Sequence, residues 1–426
     1  MGAMTRTART TTAPAAGLLC GPGAEDLVRA AIGLTPEVEL AVRVDRVQHR
    51  TDGTSVGYDV TYDASGAVSD YLVASTAPLA LAAGGVALLQ DGELDVAVWR
   101  HPGDPALPGL AAACDVAAVA AWLPGTTGLE VVTYRPLRRA VVRATGVDGV
   151  TGYLKVVRPA VADRLVRQHV GTAALGSPRV TARPAPGVLV LAEVPGATLA
   201  EAIADGRRAP DLDEIVALLD RMDPACASLG STTSFAQDLP AQLLALTGVL
   251  DGDVAVRLRR LADAVVARIA RTARRWPVVP THGDLHAANL VVRPGPTAEL
   301  AGVLDVDRVG GGHRVDDLAC LFAHASVAAT STDGSAAADV AAQRARTAVE
   351  RWWAQARRTD AGDAAALAAR TAAVVLALVG VVAPERVTAL LDLAGAWCAR
   401  ASLPTVPLPR SVASGNPTTI TTKEMS

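Results

Sequence analysis

Apolar positions follow two periods along this chain, and the switch between them divides it into a strand-rich first half and a helical second half. Val38 to Val47, Ser55 to Tyr62 and Tyr71 to Ser75 alternate as half-buried strands do, with Thr51-Asp52-Gly53 and Ala64-Ser65-Gly66 as turn signals between them. Ala24 to Leu34 has the three-to-four spacing of a short amphipathic helix. Leu94 to Arg100 predicts another strand. Pro105 to Leu123 predicts an alanine-rich helix that stops at Pro124-Gly125, a module boundary.

A second strand block follows: Glu130 to Tyr134, Arg139 to Arg143 and Gly152 to Val157, then a helix over Ala160 to Leu175 and an apolar strand over Gly187 to Val194. Thr198 and Glu201 have the spacing of a capping box, in which a threonine side chain and a glutamate three residues on each satisfy the other's free backbone N–H. From there the 3.6 period dominates. It predicts helices over Asp211 to Leu229, Leu239 to Leu250, Asp253 to Arg275, Leu318 to Ser326, Ala336 to Arg358, Ala364 to Val382 and Pro384 to Ala401.

The helical half is interrupted by residues 281–317. His282-Gly283-Asp284, four residues, then Asn289 lead into an apolar strand (Leu290 to Val292), a Pro-Gly turn, a second strand (Leu300 to Leu304) and Asp305. A hairpin there brings an amide oxygen and a carboxylate to one end, with Asp284 on the preceding loop. Transfer of a phosphoryl group from a nucleotide needs such a set: a carboxylate to orient the acceptor hydroxyl, and hard oxygen ligands for the magnesium that neutralises the phosphates.

Composition sharpens this. The chain has 40 Lys plus Arg, yet lysine stands only at 155 and 423, and asparagine only at 289 and 416. Lys423 and Asn416 lie in a Pro, Ser and Thr-rich tail, so the body keeps one Lys, inside a strand, and one Asn, inside the motif. An ammonium is a compact point charge that a guanidinium does not replace. Lys155 among apolar neighbours needs an anionic partner, since an isolated buried ammonium is costly.

The segment resembles the catalytic segment of the aminoglycoside phosphotransferase and choline kinase group, relatives of the protein kinases whose loop reads H-G-D-x-x-x-x-N. The resemblance spans roughly Glu130 to Ala401. It implies an α+β fold of two lobes, protein kinase-like, with a small β-rich lobe and a mostly helical large one, preceded here by an additional N-terminal α/β module. It implies ATP as donor and Mg2+ as cofactor. Asp284 is then the catalytic base, His282 a brace of the same loop, and Asn289 and Asp305 the metal ligands. Lys155 contacts the nucleotide phosphates, and Glu193 and Val194 form the hinge where main-chain groups meet adenine. His286, Asp307 and Asp317 are supporting candidates: His286 toward phosphate, substrate or loop, Asp307 beside the metal ligand, and Asp317 either bracing the loop or capping a helix, with Asp316 as rival cap.

Two departures stand out. The turn Arg135-Pro136-Leu137-Arg138-Arg139 has no glycine, so Arg138 or Arg139 would take the phosphates. The helix after Lys155 has no Glu, which leaves Asp163 and His169 as candidate partners for Lys155. Within the N-terminal module, Tyr71-Leu72-Val73 echoes Tyr153-Leu154-Lys155, with Val73 at the lysine's place, which reads either as ordinary β-hairpins or as a degenerate copy of the small-lobe sheet or a cap on it.

The remaining features bound the answer. The expected division is a disordered leader (1–23), a β-rich cap module (24–125), small lobe and hinge (126–196), helical large lobe (197–402) and a disordered tail (403–426). Net charge of -3 indicates no nucleic-acid surface. The apolar run Thr371 to Val382 is too short to cross a bilayer and reads as a buried helix. Five scattered cysteines fit reduced thiols packed in a cytoplasmic protein. Gly310 to Gly312 predicts a mobile turn, and Trp352, Trp353 and Trp397 are either core residues or a stacking surface. The expected activity is ATP- and Mg2+-dependent phosphoryl transfer to a hydroxyl of a small molecule such as a sugar, amino-sugar or antibiotic. Its rivals are a kinase acting on Ser or Thr of a peptide precursor in natural-product biosynthesis, docked on the N-terminal module, and a catalytically weak nucleotide-binding scaffold.

Overall fold

Each strand-period block closes into its own sheet, and the two sheets have one strand order. The computed structural model describes residues 17–50, 52–63, 67–79, 85–91, 94–230, 234–239, 250, 252–272, 276–331, 334–359 and 361–401; most of the expected leader, helix 239–250 and tail lie outside them. After α1 (Gly23–Ile32) come β1 (Leu40–Arg50), β2 (Gly53–Asp63), β3 (Ala67–Ser75), β4 (Val86–Asp91) and β5 (Leu94–Arg100), paired antiparallel in the order β1-β2-β3-β5-β4. Helices α2 (Leu110–Ala113) and α3 (Val116–Trp122) lead into β6 (Gly128–Arg135), β7 (Arg139–Gly146), β8 (Gly149–Val157), α4 (Pro159–Gly171), β9 (Val180–Ala182) and β10 (Val188–Leu191). These strands pair as β6-β7-β8-β10-β9.

The sheets stack through alternation. On β3, Leu72 and Ala74 face a core closed by Leu27 and Val28 of α1, while Val73 points the other way with Ala97 and Trp99 of β5. That second face packs on Leu154, Val156, Val188 and Val190 of the second sheet, so the strand holding Val73 does lie against the sheet of Lys155. Trp99 is 1% exposed, and burying a side chain of that size contributes roughly 2–3 kcal/mol. The expected helix over 105–123 is two short ones, because the Asp115 carboxylate accepts from Ala118 N (2.7 Å) and starts α3 afresh. β4 and β9 lie at the sheet edges, where weak alternation gives no strand signal.

The large lobe opens with β11 (Ala197–Thr198) and α5 (Leu199–Ala204), the latter held by the expected capping box of Thr198 and Glu201. Then come α6 (Leu212–Leu219), α7 (Gly252–Arg271), β12 (Val279–Thr281), β13 (Leu290–Val292), β14 (Leu300–Val303), β15 (Gly310–Gly312), α8 (Arg314–Ala328), α9 (Ala336–Thr359), α10 (Ala361–Leu378) and α11 (Val387–Arg400). The helix expected over 211–229 ends early: Pro224 cannot continue it, and Pro224–Ser228 forms a separate 3-10 turn.

Gly310 to Gly312 is not a mobile turn; it pairs as a strand with Val279 to Thr281, and a Cβ on Gly311 would come within 2.5 Å of the Ala227 carbonyl oxygen. Trp352, Trp353 and Trp397 are core residues at 0%, 6% and 2% exposure, with the Trp352 indole donating to Pro210 O (2.9 Å). Cys226, Cys320 and Cys398 are buried as expected and Cys114 is half-buried, but Cys20 is exposed. Among the described residues no helix is long and apolar enough to cross a membrane.

Candidate active site

Helix α8 organises the loop that follows β12. It begins at Arg314, four residues before the expected start, so Asp317 lies in its first turn and is not its cap; His313 holds the cap position. From there the Asp317 carboxylate accepts from the backbone N–H groups of His282 (3.0 Å) and Gly283 (2.8 Å) and pairs with Arg314 (3.1 Å). Asp316, the rival for that cap, instead pairs with Arg370. Gly283 takes a φ of +77°, a conformation that costs glycine little. Two further bonds lock the loop: His282 Nε2 to Leu304 O (2.8 Å) and Arg308 Nε to Gly283 O (2.9 Å).

The β13-β14 hairpin, with Leu290 opposite Val303, brings Asn289 beside Leu304 and Asp305; Leu304 N donates to Asn289 O at 2.8 Å. The Asn289 amide nitrogen donates to Asp284 O and to His286 Nε2, both at 3.0 Å, which leaves its amide oxygen as a ligand atom. Asp305 has a φ of +51°, strained for a residue with a Cβ and found where surroundings enforce it.

Those surroundings are cations. Arg139 grips Asp305 with both terminal nitrogens (2.8 and 2.9 Å) and reaches Asp307 at 2.5 Å, while Lys155 Nζ contacts Asp305 (3.1 Å) and Asp307. Burial opposes the charged form of Asp305, but Lys155 and Arg139 outweigh it and hold the carboxyl well below the usual range. The same carboxylates outweigh burial at Arg139 and raise its pKa.

This corrects the partner expected for Lys155. Asp163 pairs with Arg183, and His169 Nδ1 donates to Pro178 O at 2.7 Å; the anions on Lys155 come from the segment after β14. On α4, where a glutamate was sought, Gln168 donates to the carbonyls of Asp307 (2.9 Å) and Val309 (2.8 Å) and so fixes that segment. A neutral amide suffices because Asp307 supplies the charge, and no pattern around Gln168 announces this.

Arg138 is exposed beside Arg139, with Arg135 half-buried at the foot of the same turn. Burial, then the charge of Arg139, lowers the pKa of Arg135, while Asp305 and Asp284 act in the other direction. The turn itself is pinned from outside the small lobe. Leu137, at φ +60°, donates its N–H to Asp104 (2.8 Å), which also accepts from the Tyr134 hydroxyl (2.7 Å), itself accepting from Trp99 Nε1 (3.1 Å). Glu193 and Val194 lie on the extended link between β10 and β11, Glu193 exposed and Val194 half-buried.

Cys320 and His324, which the sequence does not single out as site residues, join His286 here. His286 stacks on His324 at 4.6 Å, and Cys320, one helical turn before His324 on α8, donates its thiol to Asp284 Oδ1 at 3.7 Å. Burial lowers the pKa of His286, and pushes that of His324 down to about 4 with help from His286. The i,i+4 spacing of Cys320 and His324 was the available signal.

Two lobes meeting at a loop with a bound-in aspartate, an asparagine and a lysine-paired carboxylate define a kinase-like phosphotransferase architecture. The model of a family described as the phosphotransferase enzyme family matches residues 145–358, just over half of the chain, and the chain belongs to that family. Among solved structures it is similar to a choline/ethanolamine kinase family protein from Mesorhizobium loti, with 17% identity, TM-score 0.45, and coverage of 69% of this chain and 95% of that one. A macrolide 2'-phosphotransferase from Brachybacterium faecium matches at 20% identity and TM-score 0.34, covering 68% and 97%. An aminoglycoside phosphotransferase from Streptomyces rimosus matches at 17% identity and TM-score 0.32, covering 66% and 96%. No curated protein sequence matches the chain.

Proposed function

We propose that this phosphotransferase moves the γ-phosphate of ATP to a hydroxyl of a small molecule, of the sugar, amino-sugar or antibiotic kind. The observation that carries the reading is the contact of Lys155 with Asp305, which joins the small-lobe sheet to the loop of Asp284 and Asn289. In this account Asp284 orients the acceptor hydroxyl and takes its proton as the bond to phosphorus forms. His282 holds the loop on Leu304, and Asp317 holds its backbone.

The donor set suits magnesium: a carboxylate at Asp305 and a free amide oxygen at Asn289, both hard ligands. Bound there, the ion would neutralise charge on the transferring phosphates. Lys155 and Arg139, now on Asp305 and Asp307, are the cations an incoming triphosphate would share, with Arg138 reaching the outer phosphates. Glu193 and Val194 would meet adenine through their main chain. Residues 24–125 form the cap module, 126–196 the small lobe and hinge, and 197–402 the large lobe.

The scaffold reading leaned on the missing helix Glu and on the glycine-free turn before Arg139; Asp307 supplies a partner for Lys155 and so answers the first of these. Transfer from labelled ATP across sugars, aminoglycosides, nucleosides and Ser/Thr peptides tests the acceptor: label on a small molecule supports this reading, and label on peptides alone replaces it with the peptide-kinase reading. Arg138→Ala should raise the apparent nucleotide constant; an unchanged value removes Arg138 from the phosphate site.

A further inference from the structure

The carboxylate of Asp284 differs from that of Asp305. Asp305 carries two cations, whereas among the described residues the one hydrogen bond to the Asp284 carboxylate comes from the Cys320 thiol. Asp284 Oδ, Cys320 Sγ and a ring nitrogen of His324 all lie within 4.8 Å of one another, and His286 stacks against His324 beside them. Four-coordinate zinc binds thiolate sulfur at about 2.3 Å and imidazole nitrogen or carboxylate oxygen at about 2.0–2.2 Å, so these atoms need to close by on the order of 1 Å to share one ion.

We propose that Asp284, Cys320 and His324 form a binding site for a soft divalent cation, zinc by preference, which shuts off the phosphotransferase by occupying the carboxylate that orients the acceptor. The ligand types make the choice of metal: thiolate and imidazole select zinc, while magnesium keeps to oxygen donors and is left to Asn289 and Asp305. Charge favours it as well. Binding releases the Cys320 proton to solvent, and the divalent ion then balances one thiolate and one carboxylate, with His324 neutral. Without the ion, burial and the neighbouring Asp284 raise the thiol's pKa well above the ordinary value against the smaller opposing pull of Arg308, so its deprotonation is a cost that the metal–thiolate bond must offset. Cys320 and His324 sit one turn apart on α8, whose first turn holds the Asp284 loop through Asp317, so ligands and loop share one rigid support.

The inhibitory consequence rests on the role proposed for Asp284, so the test reads metal binding and turnover separately. Cobalt(II) titrated into the full-length protein should produce a thiolate-to-cobalt charge-transfer band that zinc abolishes, and Cys320→Ala and His324→Gln should each lose it. Nucleotide turnover in excess magnesium should fall at least tenfold at micromolar free zinc. Each variant, scaled to its own metal-free rate, should need at least tenfold more zinc. Absence of the cobalt band in the wild type, or zinc inhibition equal in the wild type and both variants, overturns the proposal. His324→Gln keeps the test open where Cys320→Ala does not fold. A cobalt band in a protein that turns over no nucleotide would leave the metal site standing and remove the phosphotransferase reading instead.

Discussion

Val73 and Lys155 occupy the same place in two sheets of the same strand order. Each is third from the end of the central strand, Val73 between Gly57 and Trp99, Lys155 between Val141 and Leu189. Their faces meet different fates. The Val73 face is sealed against the back of the second sheet, whereas the Lys155 face turns to the large lobe and its carboxylates. The connections differ too: residues 76–85 link β3 to β4, while residues 158–179 link β8 to β9 and include α4, which brings Gln168 to the Asp307 segment. One strand order serves as packing material in the first case and as a chemical platform in the second. What separates them is the partner each face meets.

The comparison breaks most severely at Val73, which is 0% exposed. Val73→Lys places an ammonium in an apolar interface without a carboxylate and should cost about 3–5 kcal/mol, read by denaturant unfolding; a loss under 1 kcal/mol would mean the face is open to water. Lys155→Met at the matching position should do the reverse, lowering phosphoryl transfer by roughly 10²–10³-fold with little change in melting temperature, since Arg139 still neutralises Asp305 and Asp307. Loss of folding in place of activity would make Lys155 structural.

Helix α4 of the second sheet gives a pH signature. Burial, then Lys155, pushes the pKa of His169 down to about 4, below the ordinary 6.5. The unfolded chain therefore binds its proton first, and stability should fall as pH drops from 6.5 toward 4, by on the order of 3 kcal/mol. His169→Gln should flatten that slope; an unchanged slope assigns it to other groups. The smallest effect is expected at the joint between the sheets. Asp104→Asn weakens the bonds to Tyr134 and Leu137, costing about 1 kcal/mol. It should raise the apparent nucleotide constant a few-fold at constant maximal rate, and a purely structural Asp104 would leave that constant unmoved.

Much of this was legible in the chain. Period-two alternation and its turn residues marked the central strands of both sheets, and the capping box at Thr198 located a helix start to the residue. The scarcity of Lys and Asn pointed to Lys155 and Asn289, which contacts through Asp305 and Leu304 bring together. What was missed depends on distant pairing. The anion on Lys155 lies about 150 residues away; Gly310 to Gly312 becomes a strand because Val279 to Thr281 runs beside it. The Asp104 brace crosses between modules, and Cys320 and His324 gain meaning only where α8 meets the Asp284 loop.

The central claim is that Asp284 works in phosphoryl transfer from a nucleotide held by the Lys155 side of the site. Nucleotide turnover with magnesium in the wild type and in Asp284→Ala, alongside nucleotide binding to both, tests it most directly. The account predicts turnover lower by at least about 10²-fold with binding preserved; equal turnover in the two proteins would contradict it.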